Sequence, residues 1–321
     1  MKQFTHAWIA MMAIKRLAKA TIDDPTEKTA AVNLVNWFQF HKDDVITGAW
    51  YPDKVIADMA SSHILKHIPG IADPLPKFLE LPDTYHLYAT GKLSSHYNQS
   101  YQVGKGNLPD RCEALTHSII DNLKMFETER KGSAIMPSGH HIAALFFMLS
   151  HYIADAHMPL HCDGRDYSPD IDIHAKIEGK WDKWILDSYQ VERAYNRFSN
   201  DHEGFPEKMK NHAVVDWVEE QIVLRPFDSK YGTKNENTWD FMSAVAQYSY
   251  LSAYAMVPDT FDVKTQDFKA LIELITQPRF DTLSREILID SIDSVAKVWL
   301  RAWNRYWIWK TTKDAKQKKN K

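Results

Sequence analysis

Residues 142–154 read IAALFFMLSHYIA, and they run directly into Asp155-Ala156-His157 ahead of Pro159. A helix this apolar all round is a buried helix, so the rest of the chain has to fold around it. Ser138-Gly139 can start it and Pro159 stops it. The same helix carries His151 and, four residues on, Asp155, which places both on one face a turn apart. A carboxylate on such a helix is costly without a compensating partner. The histidine-bearing end should therefore lie in the middle of the molecule, facing something that offsets the charge.

The next residues suggest what that is. His151, Asp155 and His161 form H-x3-D-x5-H, and His174 and Glu178 follow as H-x3-E, again four apart. Imidazole and carboxylate on one helix face suit zinc, and two such pairs around a further histidine point to a cluster of ions. Fifteen histidines against two cysteines agree with a His/Asp/Glu site, which fits catalysis better than a closed cysteine-rich structural site. Cys112 and Cys162 could pair, but two cysteines make no disulfide framework.

A net charge of -3 gives no polyelectrolyte signature, and no broad basic surface argues for nucleic acid. Only residues 310–321 (KTTKDAKQKKNK) are strongly basic, and they read as a disordered tail. No apolar run reaches the length of a membrane span. The apolar patch at 8–14 is too short for a signal peptide, so the chain reads as cytoplasmic as written, or secreted or periplasmic if it is a processed form.

Helical periodicity dominates elsewhere. It predicts helices at 6–20, 27–41, 53–67 (opened by Pro52), 111–130, 138–158, 173–197, 206–223, 238–256, 265–276 and 283–309, with loops and short helices over 71–110. The expectation is an all-α fold, one large multi-helix domain over 1–309. Trp299, Trp303 and Trp307, spaced by four, read as core.

Upstream, His6 falls on the first predicted helix, and Asp53, His63 and His67 on the third. On an ideal helix both histidines would lie within about 80° of Asp53. The order His6, Trp50-Tyr51-Pro52-Asp53, a histidine, HYIADAHMPLH and then H-x3-E resembles the zinc-dependent phospholipase C and single-strand-specific nuclease superfamily. The second pair ending in glutamate is the phospholipase-like form, while Trp181-Asp182 is closer to the nucleases.

The resemblance implies an all-α fold with about three zinc ions in a cleft. Asp53, His63 or His67, His151 and Asp155 would hold one ion. Asp155 would bridge to a second, bound by His6 and the N-terminus, here Met1. His161, His174 and Glu178 would hold the third. The implied activity is hydrolysis of a phosphate ester by a metal-bridging hydroxide, with Asp53 orienting or deprotonating the water. The substrate would be a phospholipid or, in the alternative, a single-stranded nucleic acid or 3′-nucleotide. A helical protein using zinc only structurally is the non-enzymatic alternative. His157 reads as pocket lining or a support to the ligands, and at most one of His140 and His141 faces the site. His86 and His96, with Tyr85 and Tyr97, would form the rim.

Overall fold

The structure is a computed structural model that describes residues 1–41, 45–69, 79–82, 85, 101–128, 135–189, 191–192, 197–198, 207–232 and 236–319. The chain runs through α1 (Gln3–Lys19), α2 (Pro25–Gln39), α3 (Val45–Lys54), a 3-10 turn (Ala60–His63), β1 (Lys66–Pro69), β2 (Tyr101–Lys105), α4 (Leu108–Thr128) and α5 (Gly139–His157). It continues through the four-residue α6 (Pro159–Cys162), α7 (Ile173–Ser188), β3 (Val191–Glu192), β4 (Arg197–Phe198), α8 (Ala213–Leu224), α9 (Thr238–Met256), α10 (Phe268–Ile275) and α11 (Gln277–Lys319). The fold is all-α. Among the described residues, strands are confined to two two-stranded antiparallel sheets, β1–β2 and β3–β4. No described helix is long and apolar enough to cross a membrane.

The apolar helix α5 is central. The Ser138 hydroxyl caps its start by accepting from the backbone N–H of His141 at 3.0 Å, and every residue from Phe146 to His157 is buried. It packs against α1, α3, α4, α9 and α11. Each large apolar side chain it buries, such as Phe146, Phe147 or Ile153, contributes roughly 1.5–3 kcal/mol. Helix α11 crosses it, and the Trp299 indole donates to the Phe146 carbonyl at 3.0 Å. Trp299 and Trp303 are buried and Trp307 packs on the same core.

Helix α3 approaches α5 so closely that a Cβ at Gly48 would sit 2.8 Å from the Phe147 side chain. A larger residue there would push the two helices apart, and with them Asp53 and His151.

Several local expectations change. The third helix occupies 45–54 rather than 53–67, with Pro52 inside its last turn instead of at its start. Burial of Val45, Ile46 and Ala49 holds the preceding turns helical, and a proline is tolerated where the helix is already ending. The rest of that stretch becomes the 3-10 turn and β1, since Lys66–Pro69 pair with Tyr101–Lys105. Helix α7 stops at Ser188 instead of 197, and α8 starts at Ala213 instead of 206. Helix α11 continues to Lys319, through most of the basic segment expected to be a disordered tail. Cys112 and Cys162 are both buried and unpaired as a disulfide.

Candidate metal centre

Six elements converge on one carboxylate. Helix α1 supplies His6, the end of α3 supplies Asp53, and the 3-10 turn supplies His63. Helix α5 supplies His151 and Asp155, α6 supplies His161, and α7 supplies His174 and Glu178. Asp155, almost fully buried, reaches His63 Nδ1 at 3.0 Å and His151 Nε2 at 3.2 Å through Oδ2. Its Oδ1 lies 3.5 Å from His6 Nε2 and 3.8 Å from His161 Nδ1. Asp53, more exposed, lies 3.5 Å from His151 Nε2 and 3.8 Å from His63 Nδ1. Glu178 Oε1 is 2.7 Å from His174 Nε2 and 3.4 Å from His161 Nε2.

The ligating atoms fall into three groups, each within 4.8 Å: His6, His151 and Asp155; Asp53, His63 and His151; His161, His174 and Glu178. The amino group of Met1 joins two of them, at 2.8 Å from Asp155 Oδ1 and 2.7 Å from Glu178 Oε1.

Backbone carbonyls orient two of the rings. The His151 Nδ1–H donates to the Ala49 carbonyl at 2.7 Å, and the His161 Nδ1–H donates to the His63 carbonyl at 2.7 Å. Such a bond fixes the ring orientation and turns Nε2 toward the carboxylates. Helix α1 is anchored by Asp182, whose Oδ1 accepts from the backbone N–H groups of Phe4 and Thr5, each at 2.9 Å. That bond satisfies two orphan donors at the start of the helix carrying His6. Trp181 donates to the Ser284 hydroxyl at 2.9 Å. The Trp181-Asp182 pair thus serves the scaffold.

Charges inside the group balance one another. Burial works against the Asp155 and Glu178 carboxylates, but the Met1 amine and the neighbouring histidines hold both well below the usual range. Burial likewise opposes the Met1 ammonium and the His151 imidazolium. Asp155 and Glu178 overcome it for the amine, raised to about 11, and Asp155 with Asp53 does so for His151, raised to about 9. His6 goes the other way. Burial and the adjacent His151, stacked on it at 3.9 Å, keep it neutral.

Neutral His6 is 1% exposed, and neither of its ring nitrogens has a hydrogen-bond partner. Buried polar atoms are rarely left so, because each costs about 1–3 kcal/mol. A neutral imidazole with an unused lone pair 3.5 Å from a shared carboxylate fits a metal ligand, and the imidazole and carboxylate donors fit zinc.

A cleft of about 530 Å³ opens over the group, lined among others by Asp53, Asp58, His63, Lys66, Asp155 and His174. Asp58 and Lys66 carry no signal in the sequence. Asp58 accepts from the Tyr152 hydroxyl at 2.5 Å and faces Arg111 Nε at 3.2 Å, which hold its carboxyl below the ordinary value against burial. Tyr152 also packs on His63 with ring centres 5.1 Å apart. The neighbour of His151 thereby links the cleft wall to the His63 ring.

Other candidates lie elsewhere. His67 is in none of the three groups. It is buried in β1 with its Nδ1 3.3 Å from the Cys162 carbonyl and its ring against Tyr101 and Tyr250. Strand pairing turned it away from the face it would share with Asp53 on a helix. His157 contacts the Ser294 hydroxyl at 2.8 Å in the core and does not line the cleft. Neither His140 nor His141 reaches the groups, and Tyr85 is buried against Phe241 instead of standing at a rim. His86, His96 and Tyr97 lie outside the described residues.

No known protein-family model matches the chain, and no curated protein sequence does. Among solved structures, the chain is similar to the alpha toxin from Clostridium absonum, at 15% identity and a TM-score of 0.48. The match covers 94% of this chain and 64% of the toxin chain, less than two thirds of its length.

Proposed function

We propose that this chain is a zinc-dependent phosphoric ester hydrolase, of the phospholipase C-like phosphodiesterase kind. The observation that carries the reading is Asp155, one buried carboxylate within 4 Å of His6, His63, His151 and His161 at the floor of an open cleft. Asp53, His63, His151 and Asp155 would hold one ion. His6 and the Met1 amine, with Asp155 shared, would hold a second, and His161, His174 and Glu178 a third. Zinc held there supplies Lewis acidity toward a phosphoryl oxygen and makes water more acidic.

The remaining chemistry belongs to side chains. Asp53 is the least buried carboxylate of the set, at 36% side-chain exposure, and it faces the cleft. It is placed to orient an attacking water and to accept its proton. Asp155, buried and shared, keeps the histidines fixed around it and exchanges no proton. No cysteine nucleophile competes, since burial pushes the Cys162 thiol up to about 12 and the Cys112 thiol higher still. The buried floor lowers the local dielectric and so strengthens the electrostatic contacts made there.

Glu178 favours the phospholipase-like reading over the nuclease one. It stands at the cleft, whereas Trp181-Asp182, the feature that favours a nuclease, is occupied in scaffold bonds. The test is a panel of phosphatidylcholine, single-stranded DNA, RNA and 3′-nucleotides, with the zinc-loaded protein and its Asp155→Asn variant. Hydrolysis of phosphatidylcholine that is lost in the variant supports the proposal. Hydrolysis of nucleic acid alone reverses the substrate assignment. Zinc binding with no hydrolysis in any arm means a non-enzymatic zinc protein.

A further inference from the structure

Beside the metal cleft lies a second cavity of about 250 Å³, lined by Lys66, Lys105, Arg165, Asp163 and Asp166 among others. Lys66 lines both spaces, so its side chain stands on the wall between them. It faces Lys105 directly across the β1–β2 pair, where the register is irregular between Lys66 and His67. Like charges directly opposite on paired strands are destabilising. Burial also lowers the Lys66 ammonium from its ordinary value, and Lys105 adds to the effect.

Asp163 partly offsets the charge on Lys66, but the carboxylates of this cavity are committed to other partners. Asp163 is taken by Arg165, at 2.8 Å and 2.7 Å, and by the Tyr167 hydroxyl at 2.5 Å. Asp166 is paired with Lys264. The Lys66 ammonium donates to the Leu160 carbonyl, which uses one of its three donors. Among the described residues, neither Lys66 nor Lys105 forms an ion pair with a carboxylate. Two adjacent cations that form no ion pair with a carboxylate among the described residues thus face a cavity that shares a wall with the cleft.

We propose that Lys66 and Lys105 form a second phosphate subsite, which binds a phosphate group of the substrate next to the one held over Asp155. A phosphate oxygen array can accept from both ammonium groups at once and removes their mutual repulsion. The preferred substrate then carries two phosphates. This rests on the hydrolase reading of the cleft. The second phosphate could belong to a nucleotide chain or to a phosphorylated lipid headgroup, since the lysines recognise the group and not its source.

The test uses two substrate pairs that differ only in that group. One is a dinucleoside monophosphate with and without a terminal phosphate; the other is phosphatidylinositol with and without a headgroup phosphate. In the pair that the zinc-loaded protein hydrolyses, the extra phosphate should lower KM about tenfold, the scale of one charge-assisted hydrogen bond. That advantage should vanish in Lys105→Ala and return in Lys105→Arg, with kcat unchanged. Lys105 is exposed and outside the metal groups, so the variant leaves the metal centre intact. An advantage that is absent in the parent, or that survives in Lys105→Ala, overturns the subsite. If neither pair is hydrolysed, the phosphatidylcholine, nucleic-acid and 3′-nucleotide panel judges the hydrolase reading, and pyrophosphate titration calorimetry judges the subsite by itself. Binding about tenfold weaker in Lys105→Ala supports it, and equal or absent binding overturns it.

Discussion

Two buried polar clusters lie at different places along the same core helix, and they are finished differently. Around Arg16, on α1, the protein closes its own account. The guanidinium Nε donates to Asp293 at 2.7 Å, one terminal nitrogen donates to the carbonyls of Ile222 at 2.7 Å and Arg225 at 2.9 Å, and the other donates to Pro226 at 2.9 Å. Ten residues earlier on the same helix, His6 is as deeply buried and has no hydrogen bond at either ring nitrogen. The difference teaches that burial alone does not mark a site. A cation satisfied by fixed partners is scaffold, whereas an imidazole left open beside a shared carboxylate is the group on which the metal proposal rests.

The sharpest way to break that contrast is Asp155→Asn. Hydrolysis should fall by about a thousandfold or more, the several kcal/mol that bound metal ions supply. Zinc per chain, read by elemental analysis, should fall with it while helical circular dichroism is kept. Activity that survives would mean Asp155 is not shared between ions. The opposite manipulation is Arg16→Ala, which strands Asp293 among the α11 side chains. It should lower stability in urea by about 3–5 kcal/mol and leave zinc stoichiometry in the folded protein unchanged. Loss of zinc without loss of stability would mean that the two clusters are one.

A smaller effect sits on His67, outside the metal groups. Burial lowers its pKa to about 4, so it stays neutral in the fold while the unfolded chain protonates it below its ordinary value. The unfolded state then binds the extra proton, and stability present above pH ~6.5 is lost as pH falls toward about 4. At pH 5 the loss should be about 2 kcal/mol relative to pH 7. It should disappear in His67→Phe when urea midpoints of the two metal-free proteins are compared across that range; parallel curves would place the titration elsewhere.

The smallest change is expected for His6→Phe in the metal-free protein. It removes an unsatisfied polar ring and should alter stability by no more than about 1 kcal/mol, while the zinc-loaded protein loses one ion. A large destabilisation without zinc would give His6 a structural role after all.

Much of the centre was legible before folding, because α5 and α7 each carry their pair at i and i+4. Local spacing is all that such a pair needs. The partners from α3 and the turn after it were harder to place. A helical face over 53–67 would have kept His63 and His67 equivalent, but strand pairing with Tyr101–Lys105 separates them and only His63 reaches Asp155. Asp58, Lys66 and the scaffold role of Asp182 gave no local signal at all, since each depends on a partner far away in the chain.

The sequence by itself determined the helical class, the buried central helix and the two histidine–carboxylate pairs, because period and spacing are properties of neighbouring residues. Only the tertiary structure decided which distant groups meet at Asp155, that His6 makes no hydrogen bond while Arg16 donates from all three of its nitrogens, and that two lysines share a cavity wall. Those outcomes depend on packing between helices, where a glycine at 48 or a carboxylate at 182 sets ångström-scale positions. No count along the chain contains that information.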